Sequence, residues 1–220
     1  MDYINDHAVI EPIKNFWHWF AINTSGIANM YSNRAFDELS KSIGRELDKV
    51  EEQLAWEIGP GKSKQYLFTI SSEGNPRLRQ IAETMVRSAP ELPDWEFYSS
   101  KPPRQPTGKV HLPERNIEFD TSGWKFIPLE NPENGRLNLV VLDERLAFSN
   151  REAALKAVSI YLDELLGEDT VENWIGEFEV GSPDEAIVHK VHDMAEMPDY
   201  LYWATHREVN PLKKQVAQLN

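Results

Sequence analysis

Leu54-Ala55-Trp56-Glu57-Ile58 and Gln65-Tyr66-Leu67-Phe68-Thr69-Ile70, joined by Gly59-Pro60-Gly61-Lys62-Ser63, decide the fold. Both runs are rich in aromatic and branched residues, and the Gly/Pro/Ser connection between them suits a loop of about five or six residues, so the stretch reads as a β-hairpin. A helix follows. Asn75 is placed to cap it, Pro76 suits its first turn, and Leu78, Ile81, Ala82, Met85 and Val86 supply an apolar face before Pro90 and Pro93 close it. Residues Asp94 to Ser99, in which Trp95 and Phe97 alternate with Glu96 and Tyr98, then read as a third strand.

The same grammar recurs downstream. Trp124-Lys125-Phe126-Ile127 and Arg136 to Leu142 pair as a hairpin through the Glu130-Asn131-Pro132-Glu133-Asn134-Gly135 turn. A helix from Arg151 to Leu166 follows, capped by Ser149 or Asn150, with Ala154, Leu155, Val158, Tyr161, Leu162, Leu165 and Leu166 on its buried side. Trp174 to Val180 is the next strand. Each half therefore reads strand, strand, helix, strand, with a tryptophan in its first and last strands: Trp56 and Trp95, then Trp124 and Trp174. The expected class is α+β in two layers, an antiparallel or mixed sheet backed by helices. It consists of two degenerate ββαβ repeats, whose strands could join in one sheet, behind an N-terminal helical segment.

That segment comprises a short aromatic helix from Pro12 to Ala21, a Ser/Gly/Asn-rich connection, and a longer helix from Asn33 to Glu52. In the longer helix Phe36, Leu39, Ile43, Leu47, Val50 and Leu54 recur as one stripe. Four aromatics in Phe16-Trp17-His18-Trp19-Phe20 exceed what one stripe can hold, so some must meet another element; packing against the sheet or the long helix is the expected fate, and His18 is expected to be structural. The proline-rich run from Lys101 to Lys109 suits a linker. The organisation expected is residues 1–100 as N-terminal helices plus the first unit, 101–116 as a connection, and 117–220 as the second unit. An appended helix from Pro183 to Glu196, a short aromatic segment Tyr200-Leu201-Tyr202-Trp203 and a polar tail from Asn210 follow it.

The chain has 220 residues, no cysteine and a formal charge of −13. The charge is concentrated: the 37 residues from Asp163 to Asp199 hold twelve carboxylates against one cation, Lys190. A surface of one sign repels nucleic acid and anionic lipid and attracts basic surfaces. No apolar run is long enough to span a bilayer, and Met1-Asp2-Tyr3-Ile4-Asn5-Asp6 lacks the basic start of a signal peptide, so a cytoplasmic protein is expected. The absence of cysteine removes disulfides, thiolate nucleophiles and cysteine-ligated metals.

Catalytic motifs fail on spacing. Gly61-Lys62-Ser63 imitates the end of a phosphate-binding loop, but Trp56 stands where that loop needs its first glycine, and the residues join two strands. Gly-x-Ser-x-Gly, His-Glu-x-x-His and EF-hand patterns are absent. His189 and His192, three apart on the expected helix, could offer imidazoles to a metal with Asp184, Glu185 or Glu196 completing the set; the competing reading puts both on a solvated helix face. No cofactor is implied.

The string Phe16-Trp17-x-Trp19-Phe20, Leu54-x-Trp56-Glu57-Ile58, Phe68-Thr69-Ile70-Ser71-x-Glu73-Gly74, Ala89-Pro90-x-Leu92-x-x-Trp95-x-Phe97 and Pro102-Pro103 resembles a family of uncharacterised bacterial proteins. Leu162-Asp163-x-x-Leu166-Gly167-Glu168-Asp169 and Trp174-Ile175-Gly176 extend the resemblance, which implies a cytosolic bacterial protein and carries no activity with it. The functional expectation is a non-enzymatic acidic binding protein, such as an immunity or antitoxin-like inhibitor of a basic toxin or nuclease. Its partner surface would draw on Asp163, Glu164, Glu168, Asp169, Glu172, Glu177, Glu179, Asp184 and Glu185. The partner would be a basic protein, neither nucleic acid nor membrane. The alternative is an enzyme or metal protein with its site at His189 and His192.

Overall fold

The computed structural model describes residues 7–130, 135–184 and 190–206 and has the expected α+β architecture. The chain divides into two compact units, Met1–Lys101 and Pro102–Asn220. Among the described residues the strands fall into separate sheets of three, two and four strands, so the two halves do not share one sheet.

In the first unit α1 (His7–Ser32) and α2 (Phe36–Leu47) precede β1 (Ala55–Pro60), β2 (Tyr66–Ser71), α3 (Pro76–Arg87) and β3 (Trp95–Tyr98). The α1 helix runs well past the expected Ala21 and includes the Ser/Gly/Asn-rich stretch, because Ile27, fully buried, prolongs the stripe of Ile13, Phe16, Trp17 and Phe20. Tertiary burial here overrides weak local propensity. Three of the four N-terminal aromatics lie inside, the fourth, Trp19, packs on the same cluster, and His18 is exposed. Left-handed Arg34 ends α1, with Ala35 N–H reaching back to Met30 O. The α2 helix is shorter than its periodicity implies: Leu39, Ile43 and Leu47 are buried, Phe36 is 55% exposed, and Val50 and Leu54 lie beyond its end.

The β1–β2 pair is the expected antiparallel hairpin, and β3 adds to β2 in parallel after α3. Asn75 Oδ1 accepts from the N–H groups of Arg77 and Leu78 at the start of α3, with Pro76 in the first turn. Ile58, Phe68 and Phe97 align across the three strands and face the helices. Phe68 is the hub, with ring centroids 6.1 Å from Phe16, 5.1 Å from Phe20 and 6.0 Å from Trp56. Trp17 Nε1 donates to Met85 O at 2.8 Å and so ties α1 to α3. The other sheet face carries the row Glu57, Thr69, Tyr98.

The second unit opens with a hairpin absent from the sequence reading: β4 (Lys109–Leu112) and β5 (Ile117–Asp120), joined through a 3₁₀ turn and left-handed Asn116. Its first strand lies inside the stretch read as a connection, because Val110, Leu112 and Phe119 are core residues too widely spaced to stand out beside Pro102, Pro103 and Pro106. Next come β6 (Lys125–Glu130), β7 (Leu137–Leu142), α4 (Glu144–Phe148), α5 (Arg151–Leu166), α6 (Glu168–Trp174) and β8 (Ile175–Gly181). β6 and β7 are antiparallel and β8 joins β7 in parallel, which repeats the strand relations of the first unit. The tryptophan correspondence is looser: Trp124 precedes β6 and Trp174 closes α6. α5 has the expected bounds, and Asn150 is its cap, accepting from Ala153 N–H. Its buried residues, Ala153, Ala154, Ala157, Val158, Tyr161, Leu162 and Leu166, exceed one stripe because β4 and β8 both pack on it. The expected helix from Pro183 to Glu196 is corrected where described: His192–Asp193 form β9, antiparallel to β6, and Met194–Glu196 form a 3₁₀ turn. Buried Met194, Met197 and Leu201 draw this segment onto the core, and the aromatic run lies in α7 (Met197–His206).

Phe68→Ala should lower stability by about 3–5 kcal/mol in urea titrations read by tryptophan fluorescence. Thr69→Val should be neutral or stabilising by about 1 kcal/mol in the same assay, because the buried Thr69 hydroxyl has no hydrogen-bond partner.

Candidate functional site

The acidic segment winds from the end of α5 through α6 and along β8. It separates into inner and outer carboxylates. Asp163 and Glu164 occupy the last turn of α5, where Glu164 O accepts from Arg104 N–H at 2.7 Å and its carboxylate lies 3.7 Å from the Arg104 guanidinium. Glu168, in the first turn of α6, is only 8% exposed, and Glu172 is half-buried. These residues are held within the unit. Asp169, Glu177, Glu179 and Asp184 are exposed.

The outward aim of Glu177 and Glu179 follows from strand alternation, since Phe178 and Val180 between them pack on the core. β8 is an edge strand with β7 as its neighbour. A pairing irregularity between Leu137 and Leu139 turns the Asn138 side chain to β8, where its Oδ1 accepts from Glu177 N–H at 2.9 Å. A Cβ on Gly176 would stand 2.1 Å from that oxygen, so a side chain there would push the Asn138 amide off Glu177 N–H. Arg151 reaches Glu179 at 3.2 Å, but both side chains are well exposed, and such a pair contributes little and yields readily to a partner. Carboxylates on an open edge also hinder pairing with a second sheet.

The metal alternative divides. Glu185 and His189 lie outside the described residues. His192 stacks on Phe126 with centroids 5.2 Å apart, meets Tyr200 edge-on at 5.0 Å, and sets Nδ1 3.1 Å from Glu196 Oε2. Among the described residues no group of three His, Cys, Asp or Glu side chains gathers with metal-binding geometry.

Gly61-Lys62-Ser63 holds an anion of its own. The Glu96 carboxylate accepts from Lys62 N–H, from Ser63 N–H at 3.1 Å and from Ser63 Oγ. The parallel register that sets Glu96 beside Leu67 brings it under the loop. Sequence reasoning missed this residue because its partners lie more than thirty positions away. Partial desolvation opposes ionisation of Glu96, but the hydrogen bonds from Ser63 and the loop amides outweigh it and hold the carboxyl below its ordinary range. A Cβ on Gly61 would stand 2.3 Å from Lys64 O, so this tight loop also depends on glycine.

Fold and surface together define an α+β protein with an acidic sheet edge. No protein-family model, curated protein or solved structure matches the chain. Among the described residues no helix is long and apolar enough to cross a membrane.

A lowered carboxyl pKa contributes stability above the unfolded value, and that stability is lost as pH falls through the folded value. Melting temperatures taken from neutral pH to below about pH 4 should therefore fall less steeply for Glu96→Gln than for the parent, from a lower starting point. Gly176→Ala should destabilise the second unit, and Asn138→Ala in the same chain should recover part of the loss in thermal melts.

Proposed function

We propose that the protein is a non-enzymatic binding protein whose β8 edge docks on a basic protein surface, as an immunity or antitoxin protein covers a basic toxin or nuclease. The observation that carries this reading is the succession of exposed carboxylates Asp169, Glu177, Glu179 and Asp184 along one structural path, opposed by the loosely held Arg151. Charge of one sign accelerates encounter with the opposite sign and disfavours acidic competitors. Carboxylates spaced along an edge can also stand in for the phosphates that a nucleic-acid-directed toxin grips. Glu164, paired with Arg104, and Glu168, buried, stand behind this docking face rather than on it.

Affinity capture from a bacterial lysate, at low and high salt, tests the reading. A single basic protein should be recovered stoichiometrically at low salt and lost with the triple variant Glu177→Lys, Glu179→Lys, Asp184→Lys, whose association with that protein should be slower by about tenfold or more. A partner captured equally by parent and variant would refute the edge as the interface.

A further inference from the structure

A cavity of about 470 Å³ opens in the second unit where β6 begins and β7 ends beside α4. That volume lies within the range of small-molecule sites, roughly 300–1,000 Å³. The antiparallel register pairs Lys125 with Leu142, so the Lys125 side chain and the first turn of α4, which carries Arg145, line the same space. Val191, half-buried, supplies apolar wall, and Leu142, 2% exposed, lies behind it as part of the floor. Among the described residues Asp143 and Glu144 are the acidic members of the lining, and Asp143 is engaged as the cap of α4, accepting from Leu146 N–H at 3.1 Å.

The cations at this cavity differ from most of those elsewhere in the unit. Lys109, Arg115, Arg151 and Lys156 each meet a carboxylate within salt-bridge distance. Among the described residues neither the Lys125 ammonium nor the Arg145 guanidinium forms an ion pair or side-chain hydrogen bond, although Arg145 lies near enough to Asp120 to favour its ionised form. Two cations without such a partner, lining one concavity with apolar wall, are notable in a chain of charge −13.

We infer that this cavity binds a small organic anion with a single carboxylate or phosphate headgroup. The headgroup lies between Lys125 and Arg145, where charge-assisted hydrogen bonds are strongest, and a short apolar body rests on Val191. Asp143 and Glu144 repel any second anionic group, which excludes polyphosphates. The site does not rest on the acidic-edge reading.

Titrations of the full chain followed by NMR test the assignment, with benzoate and phenyl phosphate as the two headgroup arms. Inorganic phosphate, benzyl alcohol and tripolyphosphate serve as headgroup, body and polyanion controls. At least one aromatic anion should saturate, bind more tightly than all three controls, and lose about tenfold or more in affinity with Lys125→Met and with Arg145→Met. The arm that binds more tightly identifies the headgroup. Thermal melts of both variants confirm that they fold, and Lys125→Arg, which keeps the charge, should retain binding should Arg145→Met not fold. Shifts that do not saturate, equal affinity in parent and Lys125→Met, or tighter binding of tripolyphosphate would overturn the assignment.

Discussion

A parallel strand cannot follow its neighbour through a tight turn; the chain must cross back over a sheet face before the third strand can join. That constraint operates in both units. In the first it places α3 between β2 and β3, and in the second it places α5 and α6 between β7 and β8. The crossing helix becomes the lid of the core, and other elements adapt to it. Trp17 is tied to α3 through Met85 O. In the second unit α5 has β4 packed on it as well as β8, so small residues, Ala153, Ala154 and Ala157, are buried along it.

Both ββαβ patterns were legible because hydrophobic periodicity and capping agreed. Asn75 and Asn150 act as the caps that their positions suggest, and α5 has the bounds read from its pattern. The differences arose where burial and local composition conflict. Asn23, Ser25, Gly26 and Asn29 look like a connection, yet Ile27 buries fully and keeps the chain helical through them. The β4–β5 hairpin has core residues at every second position, but only over four residues per strand, beside a proline-rich run. At the other end Met194, Met197 and Leu201 hold the chain on the core in place of the expected single helix.

The acidic segment shows how far composition goes towards a surface. Residues 174–180 read as a strand, and on β8 the alternation of that strand turns Glu177 and Glu179 outward. Composition could not separate Glu168, which turns inward at the start of α6, from its neighbour Asp169, which faces solvent. A net charge counts both equally, whereas an approaching partner meets only the second. The cationic cavity was illegible for the opposite reason: Lys125 and Arg145 lie twenty residues apart in a stretch without basic character, and only the β6–β7 register unites them.

The clasp between Glu96 and the Lys62–Ser63 amides bears on the order in which the chain acquires structure. A hairpin loop commonly closes on contacts within itself, but this one is completed by a carboxylate delivered on β3, after α3 has crossed the sheet. During synthesis the Lys62 and Ser63 amides would leave the ribosome well before that carboxylate and remain hydrated until the parallel strand docks, although Gly61 N–H already reaches Gln65 O within the hairpin. The first hairpin loop of the chain is thus late in becoming fully rigid, and its ordering reports completion of the first sheet rather than its nucleation.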